Sequence, residues 1–211
     1  MQLKKFAKFA VRKARILKEL ITGVDFSAVI EPEQLGLDPN IYFRGSPSGN
    51  NYLSAVIASL PLTHSDSILD IGCAKGSALA CMSDYPFARV EGVEISTKLA
   101  KICKRNFQRL KRPQVKVHNI DARQFLYFNE FQYFYFYNPF PVHILKIVMT
   151  KITQQNLPGV EQIIIYNNPP CELTIKEFGF IKWRTWPDEW GNGIHVYTNF
   201  EIGSKLDLCR R

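Results

Sequence analysis

Ile68-Leu69-Asp70-Ile71-Gly72-Cys73-Ala74-Lys75-Gly76 is the stretch that decides the fold. A short apolar strand carries an acid near its end, and glycines at 72 and 76 turn the chain into a helix-forming run, Ser77-Ala78-Leu79-Ala80-Cys81-Met82. Such a turn sets backbone N–H groups and a helix N-terminus beside a carboxylate, which suits a ligand with both a cationic or hydroxylated part and an anionic part. A second strand, Val90-Glu91-Gly92-Val93-Glu94-Ile95, ends in another acid 24 residues after Asp70. An acid at that distance holds a ribose in nucleotide-binding βαβ units. Together the two acids imply a nucleoside-containing cofactor.

Outward from this pair, strands and helices alternate. Strands are expected at 67–71, 89–95, 114–119, 131–137 and 160–166, and helices at 52–60, 77–84, 97–110, 141–155 and 171–178. Alternation at this spacing gives parallel strands with right-handed crossovers. The chain ends differently: 180–184 and 194–200 are joined by a turn-rich loop without a helix, which makes a hairpin with one antiparallel strand. The expected fold class is therefore α/β, a Rossmann-like doubly wound, mostly parallel seven-stranded sheet with a C-terminal antiparallel hairpin. The run Phe131-Gln132-Tyr133-Phe134-Tyr135-Phe136-Tyr137 reads as a central strand buried on both faces.

The dinucleotide fingerprint asks for glycine at the first, third and sixth positions of the turn; here stand Gly72, Ala74 and Ser77. Acid-x-Gly-x-Gly-x-Gly followed by an acid ending the second strand resembles instead motifs I and II of class I S-adenosylmethionine-dependent methyltransferases. The sequence departs from that pattern at its middle glycine, where Ala74 stands. Val93-Glu94-Ile95-Ser96 is similar to the family's ribose-binding segment, and Asn119-Ile120-Asp121-Ala122 to the one that holds the adenine amino group. Phe136-Tyr137-Asn138-Pro139-Phe140-Pro141 falls where the family places its methyl-transfer motif. The resemblance spans about residues 65–202 and is nearest to bacterial members with a Gly-Cys-Gly-Lys-Gly-type loop and an Asn-Pro-Phe motif.

This resemblance implies S-adenosyl-L-methionine as cofactor, held by Asp70, Gly72, Cys73, Ala74, Gly76, Glu94, Ile95, Asp121, Ala122 and Asn138. Asp70 would orient the loop and the cofactor's ammonium group, Glu94 would take two ribose hydroxyls, and Asp121 the adenine amino group. A helix cap for Asp121 and a solvated strand end for Glu94 are the structural alternatives. Asn138-Pro139-Phe140 resembles the Asn-Pro-Pro-Tyr/Phe motif of enzymes that methylate amino groups, with Phe140 and Pro141 in reversed order. Asn138 is thus a candidate catalytic residue, and His143, two residues past Pro141, a candidate base. Further candidate walls for the acceptor are Asn167-Asn168-Pro169-Pro170 and the loop Trp186-Pro187-Asp188-Glu189-Trp190-Gly191-Asn192-Gly193. The expected function is methyl transfer to an N or O nucleophile of a small molecule, saccharide or protein. A scaffold subunit that keeps the fold without turnover, and a NAD-dependent oxidoreductase, stand as alternatives.

Composition sets the remaining bounds. The net charge of +8 is uneven, because residues 1–20 hold seven Lys or Arg and one Glu. The body of the chain is nearly balanced, which argues against nucleic acid as a partner. On a helical wheel, residues 3–21 place Leu3, Phe6, Phe9, Ala10, Ile16, Leu17, Leu20 and Ile21 on one half and most of the basic residues on the other. That face is expected to pack on its own domain or in a homodimer, or to make a peripheral membrane contact. Residues 1–50 are taken as this basic helix and a connecting loop, and 51–211 as the methyltransferase domain. No uncharged apolar run reaches the roughly 18 residues of a membrane span, and the five scattered cysteines form no Cys-x-x-Cys pair, so a cytoplasmic setting without a metal site is expected.

Overall fold

The structure, a computed structural model, describes residue 17 and residues 19–170, 172–188 and 193–201. Most of the expected basic helix lies outside the described residues. Where it is described, residues 19–22 are helical, and Leu17, Leu20 and Ile21 are 58%, 75% and 77% exposed.

Seven strands form one sheet: β1 (Ser67–Ile71), β2 (Arg89–Glu94), β3 (Lys116–Asn119), β4 (Tyr133–Tyr137), β5 (Ile163–Asn167), β6 (Ile181–Pro187) and β7 (Gly193–Thr198). Their order is β3-β2-β1-β4-β5-β7-β6. β1 lies between β2 and β4 and runs parallel to both. The direction of winding therefore reverses at β1, and the crevice beyond its carboxyl end is where ligands sit in such sheets. β7 alone is antiparallel to its neighbours, so β6 again points the same way as β1 to β5.

Every residue of β1 and of β5 is buried, as interior parallel strands covered on both faces require. One face packs on α1 (Asn51–Ala58), α2 (Ser77–Met82) and α3 (Thr97–Arg109) through Leu53, Leu79, Met82, Cys103 and Phe107. The other packs on α4 (Val142–Gln155) and α5 (Glu172–Glu177) through Ile144, Val148, Ile152 and Ile175. Two helices start where a side chain satisfies their orphan amides: Asn50 Oδ1 accepts from Tyr52 and Leu53 N–H, and Ser96 Oγ from Leu99 N–H.

The expected elements are present, with shifts at their ends. β5 begins and ends later than expected, so Asn167 is strand and its Nδ2 donates to the Tyr135 hydroxyl at 3.1 Å. β6 is longer than expected and includes Trp186 and Pro187, which the sequence assigns to the following loop. Its ladder with β7 runs on to Pro187 opposite Gly193, with a register shift between Lys182 and Arg184 that leaves one extra residue on β6. The extra residue brings Trp183 and Trp186 to the same face, their rings 5.6 Å apart, against the core. Residues 189–192 of that loop lie outside the described residues.

The largest departure is in the connection before α1. Residues 23–49 pack onto the α/β unit from the cofactor-loop side. Lys75 Nζ meets Asp25 Oδ1 at 2.7 Å, with the lysine side chain 6% and the aspartate 32% exposed. Asn106 Oδ1 accepts from Asp25 N–H, while its Nδ2 donates to the carbonyls of Asp25 and Lys75. At the far end of the segment Gly49 N–H donates to Ser77 Oγ.

Candidate functional site

β1 turns at Gly72, whose φ of +84° lies in the left-handed region. A Cβ there would stand 2.7 Å from Pro139 Cβ, so the glycine also lets the loop after β4 close against the loop after β1. The amides of Gly72 and Cys73 both donate to the Val93 carbonyl, which ties this turn to the end of β2. Ala74 also sits in the left-handed region, with φ +46°. Its amide donates to Glu94 Oε2 at 2.9 Å, and Ser96 N–H donates to Oε1 at 2.8 Å. The methyl that replaces the family's glycine is accommodated from outside: Gly45 faces it, and a Cβ on Gly45 would come within 2.7 Å of Ala74 Cβ.

These turns line a cleft beyond the carboxyl ends of β1, β2 and β4. Of the expected residues, Asp70, Gly72, Cys73, Ala74, Glu94, Ile95, Asp121 and Ala122 line it. Gly76 does not line it. Gly76 starts α2 and lies where a side chain would strike Cys103 and Phe107, so its glycine serves packing. Asn138 is outside the lining as well, although its neighbours Tyr137 and Pro139 belong to it. His143 is exposed on the first turn of α4; Ile144 beside it lines the cleft.

Charge in the floor is one-sided. Asp70 is 3% exposed, and burial, reinforced by Glu94, holds its carboxyl well above the usual carboxylate range. Burial also raises Glu94, against the opposing pull of the N–H groups of Ser96, Ala74 and Ile95. Two acids pressed together in a buried floor favour a cationic or hydroxyl-rich partner. Asp121 differs. Burial pushes its carboxyl up, but the Arg123 side chain and amide outweigh that and hold it below the usual range. It also caps the 3-10 turn Ala122–Gln124, so the helix-cap alternative is realised in the same side chain that lines the cleft.

Asn138 carries two unusual features. Its φ is +41°, a region that Asn tolerates better than most residues, and its Oδ1 is buried without a hydrogen-bond partner among the described residues.

The opposite wall was not foreseen from the sequence. Phe26, Pro32, Leu35, Leu37, Tyr42 and Phe43 of the segment 26–48 line the cleft over its acidic floor. The available signal was their apolar character within a stretch otherwise rich in turn residues, since an apolar loop needs a surface to cover.

Residues 68–154 match the family model of a methyltransferase domain. That stretch, from β1 through most of α4, is what this chain shares with methyltransferase domains. The methyltransferase fold is shared with an RNA methyltransferase from Salinibacter ruber solved with S-adenosyl-L-homocysteine, at 16% identity and a TM-score of 0.56, over 74% of this chain and 94% of that one. It is shared as well with a SAM-dependent methyltransferase from Aquifex aeolicus, at 16% identity and a TM-score of 0.55, over 69% and 88%. A putative methylase from Haemophilus influenzae aligns at 17% identity and a TM-score of 0.54, over 72% and 89%. At these identities the likeness shows the fold. No curated protein matches the sequence. No helix among the described residues is long and apolar enough to cross a membrane.

Proposed function

We propose that this methyltransferase transfers a methyl group to an N–H or O–H nucleophile of a small molecule, saccharide or protein. The observation that carries this reading is the buried, unpartnered Oδ1 of Asn138 beside two cleft-lining residues. An orphaned acceptor costs free energy unless a donor reaches it, and the nucleophile's own hydrogen is such a donor. The near-neutral body of the chain speaks against a nucleic-acid acceptor.

The residues present fit the cofactor. The Asp70 carboxylate, which makes no hydrogen bond or ion pair among the described residues, is suited to the ammonium group. Glu94, fixed by backbone amides through both oxygens, retains acceptor capacity for the ribose hydroxyls. Asp121 and Ala122 stand at the adenine end. When bound, S-adenosylmethionine supplies an electrophilic methyl on a sulfonium. The protein's part is to orient the nucleophile, through Asn138, and to exclude water, through Pro139, Phe140 and the apolar wall of residues 26–48. His143, exposed and outside the cleft lining, keeps the place of a candidate base only if the acceptor itself reaches the α4 turn.

The test is label transfer from S-adenosylmethionine to amine- and hydroxyl-bearing acceptors. Asn138→Ala should lower transfer by roughly 10²-fold while S-adenosylhomocysteine affinity stays within a factor of a few. Undiminished transfer would make Asn138 a turn residue. Wild-type binding of S-adenosylhomocysteine without transfer to any acceptor would favour a scaffold subunit.

For the basic N-terminal arm, we propose an anionic lipid surface as partner. Its apolar side chains are exposed where they are described. A second copy would set one strongly cationic arm against another, and a nucleic-acid backbone offers the apolar face no partner.

A further inference from the structure

We propose that Tyr42, contributed by the N-terminal segment, contacts the adenine end of the cofactor, and that Arg123 is the positioning residue that sets both Tyr42 and Asp121 there. The proposal rests on the reading of the cleft as the S-adenosylmethionine site and adds to it a specificity element from outside the family's motifs.

Three N–H groups converge on the Asp121 carboxylate. Arg123 N–H reaches Oδ1 at 2.8 Å, Arg123 Nη2 reaches Oδ2 at 2.6 Å, and Arg123 Nε lies between both oxygens at 3.1 and 3.0 Å. A carboxylate offers about four acceptor positions, so roughly one is left for an exocyclic amine. The same Nη2 donates to the Tyr42 hydroxyl at 3.1 Å. Tyr42, Ile120, Asp121 and Ala122 all line one end of the cleft. One planar guanidinium thus fixes an acceptor and an aromatic ring against the same space, from residues 81 positions apart. A lysine could hold the carboxylate but has no fork to span both partners.

The segment that carries Tyr42 is pinned on either side, by Asp25 to Lys75 and by Gly49 to Ser77. Between those points, Arg123 supplies a polar tie to the adenine end. The plain alternative is a partly exposed ion pair and a tyrosine that merely packs. It predicts that any loss falls equally on every ligand that fills the cleft, whereas a positioning role predicts a loss that depends on the base.

Calorimetric titration with S-adenosylhomocysteine and with its deaminated analogue S-inosylhomocysteine, which presents a carbonyl where the amine was, separates the two. Wild type should prefer the adenosyl ligand. Arg123→Lys should weaken S-adenosylhomocysteine by about tenfold and shrink the adenosyl-over-inosyl preference by a similar factor, the effect of one lost charge-assisted hydrogen-bond arrangement. Tyr42→Phe keeps the ring and removes only the tie, and should weaken both ligands by a few-fold with the preference retained. Equal losses for both ligands in Arg123→Lys, or none, would overturn the positioning role. A wild-type protein that binds neither ligand would overturn the cofactor reading itself, and this proposal with it.

Discussion

The two walls of the cleft are built in different ways. The floor comes from consecutive connections of one sheet: the turn after β1 and the end of β2, joined by amides of Gly72, Cys73 and Ala74 that reach Val93 and Glu94. The facing wall, residues 26–48, belongs to no strand or long helix. It is held by scattered long-range contacts, among them Asp25 with Lys75 and Asn106, Tyr42 with Arg123, and Gly49 with Ser77. The floor supplies charge and hydrogen-bond acceptors, and the wall supplies apolar cover. A cationic cofactor with an aromatic base needs both, and only the first is encoded in a contiguous motif.

Breaking the wall's anchor should give the largest effect. In Lys75→Ala, Asp25 loses its cation while still two-thirds buried, and unfolding free energy should fall by about 1–3 kcal/mol in a denaturant titration. S-adenosylhomocysteine affinity should fall with it. If stability and affinity both hold, the segment is not fastened there and the contrast between the walls weakens.

Ala74→Gly sharpens the contrast from the floor side. Releasing a non-glycine residue from φ +46° should raise stability by about 1 kcal/mol in thermal unfolding, offset in part by the freer unfolded chain. A loss of stability would mean that the methyl's contact with Gly45 outweighs the strain.

The smallest effect on the cleft is expected from deleting residues 1–20. Ser27 loses the two bonds that its amide and hydroxyl give to the Glu19 carboxylate, yet the Asp25–Lys75 tie remains, so cofactor affinity should change by no more than a few-fold. Co-sedimentation with anionic vesicles should be lost in the same protein. Retention on vesicles would remove the lipid proposal, and light scattering that reports a dimer only in the full-length chain would replace it with self-association.

The same contrast explains what was legible in the sequence. The alternation of strands and helices, the antiparallel hairpin at the end and the places of Asp70 and Glu94 near their strand ends follow from periodicity and spacing, which act locally; the strand order does not. The sequence assigns Trp186 to the loop because the turn-rich composition begins there, whereas the ladder with β7 runs on to Pro187. Gly76 reads as part of the glycine-containing turn after β1, and its close approach to Cys103 and Phe107 of α3 is a contact that spacing within the motif does not show. The wall was invisible for a stronger reason. Its partners lie tens of residues away, and Lys75 or Arg123 alone gives no hint of an acid or a phenol arriving from residues 25 and 42.

Cofactor binding depends most directly on the acidic floor. The measurement that tests it is the affinity for S-adenosylhomocysteine from about pH 7 to about pH 5, a range over which the ligand's ammonium stays charged while buried acids with raised pKa values titrate. Because the free protein holds Asp70 and Glu94 above the ordinary range, lowering the pH protonates them early, and binding should weaken well before exposed carboxylates titrate. Asp70→Asn should flatten that dependence, and Glu94→Ala should cost about 1–3 kcal/mol at neutral pH. An affinity independent of pH and indifferent to both substitutions would show that the cofactor is held elsewhere.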